Sequence, residues 1–169
     1  MPHLLLLRHA KSSWDAPALN DFDRPLADRG RRAAPVMGSF IGAKPWRPAL
    51  VLCSSAVRAR ETLDLVLPKL PVEPSLRYLK SLYLAPPSRM IALLRQQAPE
   101  VASIMVVAHN PGMENLALRL AKDATTPAAR RMAEKFPTAA LAHFKLPSWR
   151  SLGEEEAALK DFIRPRDLG

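Results

Sequence analysis

Three short apolar runs stand out along the chain, at residues 4–7 (LLLL), 50–53 (LVLC) and 104–108 (IMVVA). Each is continuous, with no polar alternation, as expected of central parallel strands covered on both faces. Between the runs, apolar residues recur at helical spacing. Asp28 is placed to N-cap a helix carrying Arg31, Ala34, Met37, Phe40 and Ile41. Pro35 inside it implies a kink or a later start. A second helix is expected over about 56–67, with Val57, Leu63, Val66 and Leu67 on one face. A third follows Pro86-Pro87 and uses Met90, Ile91, Leu93 and Leu94. A fourth begins near Pro111-Gly112 and carries Leu116, Leu118 and Leu120. Strand and helix alternate, which predicts an α/β fold with a largely parallel sheet. The last third reads differently, with strands over 138–146 and 157–163 forming a hairpin or an edge addition.

Polar residues follow each apolar run: Arg8-His9, Ser54-Ser55 and His109-Asn110. Parallel strands end at a common edge, and open α/β sheets bind ligands there. A lone histidine after a strand is more often structural, and His3 and His143 take that reading. The joint placement of His9, His109 and the arginines is what suggests chemistry. A histidine that attacks phosphorus needs a neutral nitrogen, and cations such as Arg8, Arg58 and Arg24 disfavour a second positive charge on it. A backbone carbonyl accepting from Nδ1 would leave Nε2 free. The same arginines would bind phosphate oxygens bidentately, and a protonated His109 would add another donor. The covalent intermediate would be phospho-His9, hydrolysed by water. No clustered Asp/His set suggests a metal, so the cage is expected to work without metal or cofactor.

Composition narrows the partners. Lys and Arg number 25 against 16 Asp and Glu, a net charge of +9 that attracts anions. The basic residues are spread along the chain, and aromatics make up only 6%, so no base-stacking platform for nucleic acid is evident. No apolar run is long enough to cross a bilayer, and MPHLLLL is too short for a signal sequence, so a cytoplasmic protein is expected. One cysteine, Cys53, excludes an intrachain disulfide and reads as core. The 17 prolines fall mostly between periodic segments, and no repeat or linker divides residues 1–169, which are taken as one domain.

At this point the motifs resemble a known family. LLLLRHAKS resembles the Arg-His-Gly signature of the histidine phosphatase superfamily, with Ala10 where Gly is commonest. SSAVRARETL resembles the second signature, Ser-Pro-x-x-Arg-Ala-x-x-Thr, with Ser55 in place of Pro and Arg58 as its arginine. VVAHNPGMENLA resembles the third and supplies His109, and DRPLADRG resembles the intervening Arg-Pro-Leu-x-x-x-Gly segment containing Arg24. The likeness runs over about 3–121, with a terminal match at FIRPRDL. It implies a phosphoglycerate mutase-like three-layer sandwich, with a mainly parallel sheet between helices. It also implies His9 as nucleophile, a cage of Arg8, Arg58 and His109, and substrate contacts from Arg24 and Asn110. The short length and the wording RHAKSSWD and HNPGME resemble the SixA-type phosphohistidine phosphatases. Such a protein has an open site that admits phosphohistidine on another protein.

Many relatives carry a general acid after the second signature, yet no carboxylate lies between Glu73 and Glu100. An alkoxide leaving group needs such an acid more than imidazole does, because imidazole binds a proton near pH 6.5. Asp15, Asp21 or Asp23 on the first loop are the remaining candidates. The leading expectation is a metal-independent phosphohistidine phosphatase. The alternatives are a phosphatase for small phosphomonoesters, or a non-catalytic module binding phosphate or nucleic acid; the intact His9 and His109 argue against the latter.

Overall fold

Six strands and five α-helices make up the computed structural model, which describes residues 1–169. The three apolar runs become β1 (His3–Arg8), β2 (Leu50–Ser54) and β4 (Ser103–Ala108), and β3 (Ser75–Leu79) joins them. β4 lies between β1 and β2, and these pairings are parallel, as is that of β2 with β3. β5 (Leu141–Lys145) and β6 (Ala158–Ile163) form an antiparallel pair beside β1, so the sheet order is β3-β2-β4-β1-β5-β6. The expected hairpin is therefore also an edge addition.

The central runs are continuous because both faces of the sheet are covered. Leu4, Leu6, Ile104 and Val106 face α3 (Pro87–Arg95), α4 (Gly112–Leu120) and α5 (Pro127–Glu134), packing on Met90, Leu94, Leu116 and Met132. Leu5, Leu7, Met105 and Val107 face α1 (Asp28–Gly42) and α2 (Val57–Val66), where Met37, Ile41, Leu63 and Val66 meet them. Each buried leucine contributes roughly 2 kcal/mol of transfer free energy, so a polar residue in either register would weaken a layer.

Three sequence expectations need correction. Asp28 is the first residue of α1, not its cap; Ala27 holds the cap position without a side-chain bond. The Asp28 carboxylate turns instead to Arg31, 3.6 Å away on the helix surface. α1 starts at Asp28 and runs through Pro35, so the later start does not occur. β3 and α5 were not expected at all. β3 is an edge strand whose residues are exposed or half-buried, so it lacks an apolar run. α5 is short, and its N-terminus is set by Thr126, whose side chain accepts from the Ala129 N–H.

Two glycines let helix starts close against neighbouring backbone. The Ala27 N–H donates to the Lys11 carbonyl at 2.9 Å, just before α1. A Cβ on Gly30 would stand 2.2 Å from that carbonyl oxygen, and one on Gly112 would stand 1.9 Å from the Ala85 carbonyl oxygen. Gly30 is the glycine of the DRPLADRG segment, so that motif records a backbone approach. Gly30→Ala must therefore push α1 away from the loop after His9. It should destabilise the protein by about 2 kcal/mol, as overpacking against backbone does, read as a lower urea midpoint. An unchanged midpoint would show that α1 is free to shift.

Candidate active site

Arg8 ends β1 with His9 just beyond it, Ser54 ends β2, and His109 follows β4. Parallel pairing brings all of them to one edge. The His9 ring makes a 2.8 Å hydrogen bond from Nδ1 to the carbonyl of Ala10. A carbonyl only accepts, so Nδ1 carries the proton and Nε2 keeps its lone pair. The Nε–H of Arg58, in the first turn of α2, points to that nitrogen at 3.4 Å. Thr62, one turn further on, ties helix to strand. Its hydroxyl donates to the Arg58 carbonyl at 2.7 Å and accepts from the Ala10 N–H at 2.9 Å. Ala139, held at φ 62°, directs its N–H to the carbonyls of both Arg8 and His9 at 3.0 Å.

His109 stacks at a tilt beside His9, with ring centroids 5.1 Å apart. Its Nε2 lies 2.7 Å from the Ser54 hydroxyl, which also accepts from the Ala56 N–H at 3.3 Å. The Ser54 hydroxyl has no other acceptor for its own proton, so that proton is assigned to Nε2, which puts the imidazole proton on Nδ1. That Nδ1 is buried with no partner in the protein, as is the Nε of Arg8. Arg8 is otherwise fixed through Nη1 to the Phe136 carbonyl at 3.0 Å. An unsatisfied buried donor costs about 1–3 kcal/mol, so two of them at one site point to an anionic ligand.

The first loop closes the site from the other side. Asp21 accepts from Arg58 Nη2 at 3.0 Å and from Arg24 Nε and Nη2 at 3.2 and 3.1 Å. Its carboxylate also accepts from the Tyr83 hydroxyl, and its backbone carbonyl takes Arg58 Nη1 at 2.6 Å. Arg24 is held by the Ser12 hydroxyl at 2.8 Å and the Ser13 carbonyl at 3.2 Å, with Trp14 against its guanidinium. Of the three first-loop carboxylates, only Asp21 bonds to the arginines.

Burial is the largest influence on both histidines. It pushes His9 down to about 3, helped by His109, Arg58 and Arg8 and opposed by the bond to Ala10. Burial likewise lowers His109 to about 3, with Arg58 and Arg8 assisting and Asp21 opposing. His109 is therefore neutral at pH 7 in this state, and the case of a protonated donor does not apply to it. It offers a neutral N–H from Nδ1. Burial pushes the Asp21 carboxyl up, but hydrogen bonds from Tyr83, Arg58 and Arg24 outweigh it and hold the group at about 2.

Arg8, His9, Arg24, Arg58 and His109 thus come together. Asn110 lies beside them, but its amide is already engaged, with Nδ2 to the Phe136 carbonyl at 3.1 Å and Oδ1 accepting from the Glu114 N–H at 3.2 Å. Ser12, Thr62 and Tyr83 were given no site role from sequence. Thr62 had a signal as the threonine of the second signature, one helical turn after Arg58, and Ser12 lies in the RHAKSSWD segment; Tyr83 had none. No group of three or more His, Cys, Asp or Glu side chains is placed to hold a metal ion. No helix is long and apolar enough to cross a membrane.

A family model described as histidine phosphatase superfamily (branch 1) matches residues 4–78. An uncharacterized Mycobacterium tuberculosis protein is 37% identical over 163 residues, covering 95% of this chain and all of that one. The SixA protein of Agrobacterium tumefaciens is 31% identical with a TM-score of 0.82, covering 98% of this chain and 99% of its own. The chain belongs to the histidine phosphatase superfamily. It falls in the SixA-type branch. A protein histidine phosphatase SixA complexed with tungstate also superposes, at 25% identity and a TM-score of 0.77 over 99% of both chains. The fold of this histidine phosphatase is accordingly phosphoglycerate mutase-like, and the family and these neighbours support a phosphatase.

The neutral histidines of this phosphatase carry a cost in acid. The unfolded chain takes up their protons near the ordinary value of 6.5, the folded protein only near 3. Their contribution to stability is full above pH 6.5 and is lost as pH falls towards 3. The urea midpoint should hold from pH 7.5 to about 6.5 and decline from there to pH 4.5, less steeply in His109→Gln. A decline just as steep in that variant would show that His109 is not held neutral by the fold.

Proposed function

We propose that this phosphatase removes the phosphoryl group from phosphohistidine on a protein, without a metal and through a phospho-His9 intermediate. The observation that carries the reading is the Nε2 of His9. Its lone pair is fixed by the Nδ1 bond to Ala10, and it sits among donors that lack partners at Arg8 Nε and His109 Nδ1. The tungstate bound by the related SixA is a tetrahedral oxyanion, as phosphate is.

In this reading the phosphoryl oxygens take the unpaired donors and the Arg58 Nε–H that now rests on Nε2. Negative charge on the phosphoryl group favours protons on nearby groups, which strengthens donation from His109. The His9 lone pair forms the new nitrogen–phosphorus bond as the substrate's bond breaks. Its electron pair leaves with the departing imidazole, which binds a proton near neutrality. Water then adds to phosphorus, the bond to Nε2 breaks, and inorganic phosphate departs. Arg8, Arg58 and His109 stabilise the charge spread over the equatorial oxygens.

Two features support a protein substrate carrying phosphohistidine over a small ester. Asp21 is ionised at neutral pH and so gives no proton to an alkoxide. Apolar side chains are also exposed on the segments around the cage: Trp14 and Leu19 on the first loop, Tyr78 on β3, and Leu84 beyond it. An apolar rim of this kind suits contact with another protein surface.

His9→Ala should abolish turnover and remove an acid-labile phosphoryl label trapped by rapid quench of the wild-type protein. Label on the His9→Ala protein would overturn the assignment of the nucleophile. Arg58→Ala and His109→Ala should each lower kcat by about 10²–10³-fold, as removing one transition-state donor does. A panel of aryl phosphates, sugar phosphates and nucleotides beside a phosphohistidine protein tests the substrate. Faster turnover of any small ester would replace phosphohistidine as the substrate class.

A further inference from the structure

The excess of cations is concentrated next to the cage. A cavity of about 390 Å³ is lined by Lys11, Arg29, Arg131, Lys135, Arg164 and Arg166. One carboxylate, Glu134, joins the lining. Arg164 is committed to Asp167, with bonds of 3.0 and 2.8 Å. The other five cations make no ion pair within 4.0 Å. Five unpaired cations beside a single lining carboxylate repel one another, a cost that a bound anion relieves.

The fold places this cavity on the functional edge of the sheet. β6 is antiparallel to β5, which is antiparallel to β1, so β6 ends on the same side as His9. Arg164 follows β6 directly, within the terminal FIRPRDL segment. Lys11 lies two residues beyond His9, and its backbone is clamped to the start of α1 by the Gly30 approach, which sets Arg29 beside it. Pro137 and Thr138 form the wall shared with the cage. They sit between Phe136, whose carbonyl holds Arg8, and Ala139, whose N–H holds the Arg8 and His9 carbonyls.

We propose that this cavity is a second anion site, separate from the His9 cage, for a compound carrying two or more phosphoryl groups and no base. Its volume lies within the range of about 300–1,000 Å³ usual for small-ligand sites. A single phosphate leaves most of five unpaired cations uncompensated, whereas a linked phosphate chain reaches several of them. Guanidinium groups grip such oxygens bidentately. The lining holds no aromatic side chain and only Ala33 and prolines as apolar surface, so a base would find no ring to stack on, and its cations favour the phosphoryl oxygens.

The test is calorimetric titration of the full chain with tripolyphosphate at physiological salt, alone and with tungstate saturating the cage. Binding of one equivalent should persist in tungstate and in Arg58→Ala. It should weaken by about tenfold or more in the exposed pair Arg29→Gln/Arg166→Gln, the loss expected for one or more charge-assisted bonds. The pair Arg29→Lys/Arg166→Lys should recover part of it. Three results overturn the proposal: binding lost with tungstate or Arg58→Ala, orthophosphate or sulfate binding as tightly at equal charge, or ATP binding more tightly than tripolyphosphate. Unchanged tripolyphosphate affinity in the Gln pair, together with lost turnover of a phosphohistidine protein, would assign the cavity to an acidic protein surface instead.

Discussion

Three guanidinium groups and two imidazoles crowd one end of a parallel sheet, and a single carboxylate hydrogen-bonds among them. Burial already disfavours charge on His9 and His109, and the neighbouring arginines oppose it further. Neutral imidazoles are what this crowding permits. Asp21 supplies the compensating charge, holding Arg24 with one oxygen and Arg58 with the other. The first loop is drawn inward by that demand, and it brings Trp14 and the Ser12–Arg24 bond with it. Asp21 thereby takes both Nη groups of Arg58 and leaves its Nε–H directed at His9 Nε2.

Two devices fix the protons on the two rings, and both come from backbone order. His9 is held by the carbonyl of its own neighbour, a contact that needs only the turn after β1. His109 is held across strands by Ser54, at the end of β2. The first device exposes Nε2 as a base, and the second leaves Nδ1 as a donor. Two chemically identical side chains thus acquire opposite roles towards an anion placed between them.

Much of this was legible in sequence wherever hydrophobic pattern and position agree. The runs ending at Arg8, Ser54 and Ala108 marked buried strands, and parallel pairing then dictated that their polar successors converge. Pattern failed for β3, whose residues are exposed or half-buried at the sheet edge, and for the short eight-residue α5, which buries only Ala129 and Met132. Asp28 misled because an acidic residue at a helix start suits either the cap or the first turn, and here Arg31 claims it. The contact of Asp21 with Tyr83 joins residues 62 positions apart, on a loop without periodicity. No local rule reaches that far. The charge of His109 stayed open in sequence for a related reason, since burial outweighs any neighbour that a motif can name.

Ala10, the one departure from the first signature, now has a physical account. Only the backbone of this residue acts in the site: its carbonyl takes the His9 proton and its N–H reaches Thr62. Glycine is required where a positive φ or a close approach forbids a side chain, and position 10 shows neither. Its methyl group packs instead in a small cluster with Leu26, Ala34 and Ala139. Those three belong to the segment carrying Arg24, to α1, and to the turn that holds the Arg8 and His9 carbonyls. The methyl group thereby joins the pieces of backbone that position the cage. A change that looks like a loss in the motif leaves the main-chain contacts of the site in place, because the motif at this position records main-chain geometry.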